Sequence, residues 1–453
     1  MGDILEYFEC LNGNKNVPSS VAGVSGILKL YRYIFICISI IIPIKNLLLL
    51  GRSVFRCLFS KRIDLKNELV AISILGRDAD VYYSKKFRSS FNLTFVYLSG
   101  GASCVGNHQH CLIETFLPRR FLPLLLLEAV IFSQFALVSI LLRKYIYRAN
   151  YKVPALELFN AVASGEVFYG KILDRAMNRL ANTASVSTIL LPIEGRNWER
   201  RATRIIKRNG CHCLGYTPAI FTSCHGLATA DSFREATEFQ YLDLLLVPGK
   251  YNFRVLRHAG WPESKLFISG YLRDICKTSF GGHTSQNSGR ILIVLSGNYL
   301  TDCVVINKIQ SISSDFEIDF KINHRVASSK YLSNTLKNLG LAVAKPEGEY
   351  DLIISKSATY FAEVFTHDAE SKLIFLKTSD DYCPNFLEVD ASFKDSGIQQ
   401  LDIEDLSSLT VTKLMISNNF ISATLEKDYF FARSTSFLEI NQMLNNYCKE
   451  LPF

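Results

Sequence analysis

At 453 residues the chain is too long for one ordinary hydrophobic core and has the length of roughly two or three domains. Apolar residues make up 48% and charged residues 20%, a balance that excludes extensive disorder and suits an α/β protein with buried parallel strands. A formal charge of +8 asks for an anionic partner, whether lipid, phosphate or nucleic acid.

Met1 to Asn16 is polar and acidic and does not read as a cleavable signal peptide, and the twelve cysteines are scattered from Cys10 to Cys448 without a small-domain framework. Both features predict a reducing, cytoplasmic compartment. Ile27 to Phe59 is apolar but broken by Arg32, Pro43, Lys45, Arg52 and Arg56, which predicts one or two interfacial helices within residues 1–67. Lys29, Lys61 and Arg62 extend this basic-apolar mixture, and Arg119, Arg120, Arg143, Lys144 and Arg148 repeat it later. The pattern favours an anionic bilayer over nucleic acid.

Strands are predicted at Leu69 to Leu75 and Leu93 to Leu98. Between them Asp78-Ala79-Asp80 has the D-x-D form that holds a divalent cation, but the match is of low specificity and is read as chance. Cys104, His108, His110 and Cys111 carry soft-metal side chains, as do Cys211, His212 and Cys213; neither set has paired C-x-x-C spacing, and both are read as buried or loop residues. Phe121 to Leu142 is long enough to cross a bilayer, yet Pro123, Glu128 and arginines at both ends predict a buried or membrane-dipping helix.

Further β-branched runs at Ser187 to Ile193, Leu242 to Val247, Leu266 to Ser269, Arg290 to Ser296, Phe316 to Ile322, Leu352 to Ser355 and Lys372 to Leu376 alternate with helical patterns, the signature of βαβ units. The reading is two Rossmann-like, doubly wound domains at 68–280 and 288–430, joined by a polar linker at 281–287 and followed by a helix within 431–453. No Walker A sequence, no early G-x-G-x-x-G and no G-x-S-x-G elbow occurs, which removes P-loop, ordinary dehydrogenase and common hydrolase readings.

The strand Ser187 to Ile193 runs into Glu194-Gly195, and a helix begins near Asn197, which has the chemistry of a cap. Residues just past a strand's carboxyl end face the ligand crevice of an open α/β sheet, so Glu194 stands where a general base is useful; alternatively Glu194 and Glu199 complement the helix dipole. The run Glu194-Gly-Arg-Asn-Trp198-Glu199, followed by Gly215-Tyr216, resembles the E-x-x-x-W-E…G-Y segment of bacterial GT-B-type glycosyltransferases of surface carbohydrate and O-antigen assembly. Thr217-Pro218 replaces that family's Gln-His, and His225 lies downstream. Glu194-Gly195 is also similar, more distantly, to the acidic-Gly motif of bacterial sialyltransferases and polysialyltransferases. The resemblance implies Glu194 as catalytic base. Val247-Pro248-Gly249, Gly260-Trp261-Pro262 and Gly270-Tyr271 resemble the stretch that closes the first GT-B domain.

In the second half Lys321-Ile-Asn-His324-Arg325 follows a strand and is similar to the Lys-x-His-Pro turn that contacts the donor nucleotide in such transferases, with the proline absent. A basic cluster there neutralises phosphate, while the plainer reading is a solvated basic turn. Ser355-Lys356-Ser357 and the downstream Glu363 resemble the donor domain's serine turn and the acid that binds ribose or sugar hydroxyls. The expectation is a metal-independent transferase with a nucleotide-sugar co-substrate and no resident cofactor, acting on a lipid-linked or surface glycan at the cytoplasmic face of the inner membrane as a peripheral protein. The rivals are a GT-B-like sugar-nucleotide epimerase and a catalytically silent scaffold. The order of Glu194, His324 and Ser355 resembles transferases using CMP-activated acidic sugars, against which stands a UDP- or GDP-sugar.

Overall fold

The computed structural model describes most of residues 69–73, 93–98, 110–128, 166–222, 241–272, 289–378, 398–416 and 429–431, with single positions elsewhere. The first sheet contains β1 (Leu69–Ser73), β2 (Thr94–Tyr97), β3 (His110–Leu112), β4 (Thr188–Pro192), β5 (His212–Tyr216), β6 (Leu244–Val247) and β7 (Leu266–Ile268). Their order is β3-β2-β1-β4-β5-β6-β7, every pairing is parallel, and the strand order reverses between β1 and β4. Helices α1 (Glu166–Ala181), α2 (Asn197–Arg208) and α3 (Lys250–His258) belong to this half.

The second sheet holds β8 (Arg290–Val294), β9 (Glu317–Lys321), β10 (Ala342–Val343), β11 (Leu352–Ser355), β12 (Leu373–Lys377) and β13 (Gln400–Asp402). It is also wholly parallel, in the order β10-β9-β8-β11-β12-β13, and reverses between β8 and β11. Its helices are α4 (Tyr299–Gln310), α5 (Ser329–Asn338), α6 (Ala358–His367) and α7 (Ser408–Ile416). Two such sheets make the molecule an α/β protein with the doubly wound, GT-B-like architecture expected of it.

The central strands have near-continuous apolar sequences because helices cover both faces of a parallel sheet. Thus Thr188–Pro192, Leu244–Val247 and Leu352–Ser355 are buried at every residue. Ile353 belongs to the core cluster shared with the first half, whereas its neighbours Leu352 and Ile354 lie in a second cluster with Ile306, Phe320 and Leu336. That alternation is the period of two of a strand with two different packed faces.

Four strands differ from the sequence reading by being present where none was expected: β3, β5, β10 and β13. The helix expected near Asn197 begins on that residue. Leu122–Leu125 starts a helix as expected, with Leu122 and Leu125 buried, and Glu128 pairs with Arg175 at 2.8 Å and Lys171 at 3.5 Å. Among the described residues no helix is long and apolar enough to cross a membrane. Asp78-Ala79-Asp80, the linker 281–287 and nearly all of Ile27 to Phe59 lie outside the described residues, as do Cys104 and His108.

An aromatic seam joins the halves. Tyr251 of α3 lies 5.3 Å from Phe430 and 5.7 Å from Phe386, which in turn lies 5.4 Å from Phe361 of α6. Tyr251 N–H donates to the Tyr429 carbonyl at 2.8 Å. A Cβ on Gly249 would sit 2.2 Å from the Phe430 carbonyl oxygen, so only glycine admits the returning chain at this point. Beyond it, Ile440 is helical and buried with Leu69, Phe95, Leu214 and Leu272 of the first half.

Candidate active site

Glu194 comes two residues after β4, at the reversal point of the first sheet, where an open α/β sheet places its ligand crevice. The ladder to β5 continues one residue past the strand, with Ile193 N–H donating to the Tyr216 carbonyl at 2.7 Å. The next N–H, that of Glu194, donates to Glu199 Oε2 at 2.8 Å. Glu199 is the third residue of α2 and is fully buried, so it reaches back across the turn much as the acid of a capping box does. Glu194 itself remains half-buried.

The other members of the Glu-Trp-Glu…Gly-Tyr segment build this turn. Trp198 packs against the core. A Cβ on Gly215 would come within 2.9 Å of Ile193 Cγ1 and 2.7 Å of Leu245 Cδ1, so the absent side chain leaves room for Ile193 directly before Glu194. Tyr216 is buried, and its hydroxyl accepts the Leu272 N–H at 3.1 Å. Thr217 is buried, and its hydroxyl faces Leu246 O at 3.4 Å and Asn252 Nδ2 at 3.5 Å. Asn252 further holds the loop by donating to Ala219 O at 2.8 Å and accepting the Phe221 N–H at 3.1 Å.

That loop reaches the second half. Ile220 N–H donates to Thr359 Oγ1 at 3.4 Å, joining a segment past the carboxyl end of β5 to the first turn of α6, which follows β11. The carboxyl edges of the two sheets therefore face one another.

Across this junction Ser355, Lys356 and Ser357 lie at the reversal point of the second sheet. Ser355 Oγ donates to the Ser357 carbonyl at 3.0 Å, and Ser357 Oγ accepts the Tyr360 N–H at 3.4 Å, so Ser357 is the N-cap of α6. Lys321, the last residue of β9, carries its ammonium 4.5 Å above the Tyr360 ring. The structure thus brings Lys321 and the serine turn together. Lys356 is fully buried and directed elsewhere: its ammonium donates to Asn385 Oδ1 at 2.7 Å and lies 5.2 Å over Phe375. Asn385 Nδ2 donates to the Thr378 carbonyl at 2.9 Å, so Lys356 also fastens the chain leaving β12.

Glu363 stands in the second turn of α6, largely buried, and accepts the hydroxyl of Tyr271 at 3.1 Å across the domain junction. His324 and Arg325 lie outside the described residues. Tyr360 escaped the sequence reading because an aromatic residue in an apolar helix reads as core, and its contact with Lys321 comes from a distant strand. After β8, the Ser296 N–H and Oγ both donate to the buried Asp302 Oδ1 at 2.8 Å.

Cys211 and Cys213 are interior groups. Burial pushes the Cys211 thiol up, partly offset by Lys207, and pushes that of Cys213 well up, reinforced by Asp243. Cys211 Sγ donates to the Ala181 carbonyl at 3.1 Å, and His212 Nδ1 lies 3.5 Å from Asp243. Among the described residues no three His, Cys, Asp or Glu side chains gather as a metal site.

No family model matches the chain, and no curated protein does. Solved structures resemble it at low identity. The UDP-GlcNAc 2-epimerase of Methanocaldococcus jannaschii is 9% identical with a TM-score of 0.46, over 83% of this chain and 99% of that one. MurG of Acinetobacter baumannii is 11% identical with a TM-score of 0.43, over 84% and 99%. The Neisseria meningitidis UDP-GlcNAc 2-epimerase bound to UDP-GlcNAc gives 10% and 0.48, over 83% and 100%. At these values the likeness does not extend to activity.

Proposed function

We propose that the chain is a glycosyltransferase that moves a sugar from a nucleotide-sugar donor to a lipid-linked or surface glycan acceptor in bacterial polysaccharide assembly. The observation that carries this reading is that Glu194 and the Lys321–Ser357 cluster each stand at the reversal point of their own sheet, with the two carboxyl edges in contact. The resemblance of the Glu194-to-Tyr216 segment to surface-carbohydrate transferases supports it. Glu194 takes the proton of the acceptor hydroxyl as that oxygen attacks the anomeric carbon. The bond from that carbon to the donor phosphate breaks, and the charge left on the phosphate is met by Lys321 and the capped N-terminus of α6. Glu363 serves the ribose or sugar hydroxyls, and His324 completes the basic turn. The enzyme needs no resident metal in this scheme.

The protein works at the cytoplasmic face of the inner membrane, held peripherally by its basic-apolar segments; salt and carbonate washes of membranes test this location. The reaction is tested by thermal-shift screening of UDP-, GDP-, dTDP- and CMP-sugars, since a ligand of the native state raises apparent stability. With the stabilising donor, Glu194→Gln is expected to abolish transfer while the thermal shift stays. Transfer preserved in that variant removes Glu194 as base. Donor turnover without an acceptor favours the epimerase reading, and no shift with any nucleotide sugar favours a scaffold.

A further inference from the structure

Lys321 occupies a place that is electrostatically awkward for a cation. It ends β9, next to the reversal strand β8, and its ammonium lies over the first turn of α6, whose N-terminus carries the positive end of the helix dipole. Like charges repel there, so a local source of negative potential favours an ammonium resting at that end. The face of an aromatic ring is one, and the ring of Tyr360 lies 4.5 Å from the ammonium, within the distance of an effective cation–π contact. Tyr360 is itself fixed. It is largely buried, and its N–H is directed to Ser357 Oγ at 3.4 Å. One residue thereby connects the strand-end lysine to the capping serine.

We propose that Tyr360 is the positioning residue of the phosphate site: its ring holds the Lys321 ammonium beside the Ser355–Ser357 turn, so that the cation is in place before the nucleotide arrives. This rests on the reading that Lys321 and the serine turn receive the donor's phosphates. A lysine carries four rotatable bonds, and holding it in one arrangement beforehand lowers the ordering cost when the anion binds. The effect belongs to the face of the ring and not to the hydroxyl, which separates Tyr360 from a direct ligand. It also separates it from a residue that merely fills the core, because a packing role has no reason to depend on the ligand's charge.

The test is calorimetric titration of UDP, GDP and CMP, and of the corresponding nucleosides, into wild type, Tyr360→Phe, Tyr360→Leu, Lys321→Ala and the Tyr360→Leu/Lys321→Ala double variant. With the nucleotide that binds best, Tyr360→Phe is expected to stay within about twofold of wild type and Tyr360→Leu to bind on the order of fivefold to tenfold more weakly. The nucleoside should bind both alike. The double variant should be no weaker than Lys321→Ala alone, since the ring acts only through the lysine. Equal losses for nucleotide and nucleoside, or fully additive losses in the double variant, overturn the positioning role. Tyr360→Phe, which keeps the ring and most of its packing, guards against a fold defect, and a loss in Tyr360→Phe equal to that in Tyr360→Leu overturns the role as well. An unchanged nucleotide affinity in Lys321→Ala, or the failure of all three nucleotides to bind wild type, overturns the donor-site reading itself and this inference with it.

Discussion

Tyr350 shows how a single side chain away from the candidate site contributes to stability. Its hydroxyl donates to Asp319 Oδ2 at 3.0 Å, while Arg290 Nη2 reaches the same oxygen at 2.8 Å and the guanidinium lies 5.2 Å from the Tyr350 ring. Arg290 Nε lies 3.1 Å from Glu317, so the amino ends of β8 and β9 are tied together by one cation and two acids. Desolvation first, then the hydrogen bond to Asp319, push the Tyr350 hydroxyl up from 10.0 to about 12. The native state therefore holds the phenol proton more tightly than the unfolded chain does. The resulting stabilisation is complete below pH 10, the unfolded value, and is lost as pH rises through about 12. Urea unfolding between pH 9 and about 12 is expected to show a decline in wild type that is shallower in Tyr350→Phe. Equal slopes in the two proteins would mean that the phenol is not the group responsible.

The helix that begins at Leu122 uses its two sides differently. Leu122 and Leu125 face the core, whereas Leu124, Leu127 and Ile131 are exposed, as are Arg119 and Arg120 just before them. Apolar side chains beside exposed arginines suit the boundary of an anionic bilayer, where each near-surface basic residue adds on the order of 1 kcal/mol that salt weakens. We expect the protein to sediment with vesicles of anionic phospholipid at low salt and to be released at high salt, with Leu124→Ser/Leu127→Ser/Ile131→Ser lowering the bound fraction. Equal binding to neutral vesicles, or no effect of the triple substitution, would remove this helix from the contact. Legibility in the sequence follows a similar division between buried and exposed positions. Long apolar runs such as Leu373–Lys377 are visible because burial on both faces demands them. The two-residue edge strand Ala342–Val343 is exposed and owes its existence to pairing with Asp319 and Phe320, which no local pattern records. His212–Tyr216 was hidden differently: Gly215 lowers its strand propensity, and its reason for being there is the approach of Ile193 and Leu245 from neighbouring strands. The places of Glu194 and the serine turn were legible because they follow apolar strands directly, while the contact of Tyr360 with Lys321 depends on the end of β9, a distant strand.

At the scale of the whole molecule, the two sheets are coupled by the seam that Phe430 occupies. Phe430 is fully buried and contacts Tyr251 at 5.3 Å, Phe386 at 5.5 Å and Phe365 at 5.7 Å, so one ring touches α3, α6 and the segment after β12. Removing it leaves a cavity between the halves, and a buried Phe→Ala change costs about 3–5 kcal/mol. The site depends on the same seam, because the Ile220 to Thr359 contact and the Tyr271 to Glu363 hydrogen bond both cross it. The two tryptophans of the chain, Trp198 and Trp261, both lie in the first half, so their fluorescence follows that half alone while far-UV circular dichroism follows both. In wild type the shared core is expected to make the two urea transitions coincide. In Phe430→Ala they should separate, with the fluorescence transition displaced from the circular-dichroism midpoint and the thermal shift from any bound nucleotide reduced. Transitions that remain coincident after the substitution would show that the seam fills space between two halves already coupled by other contacts.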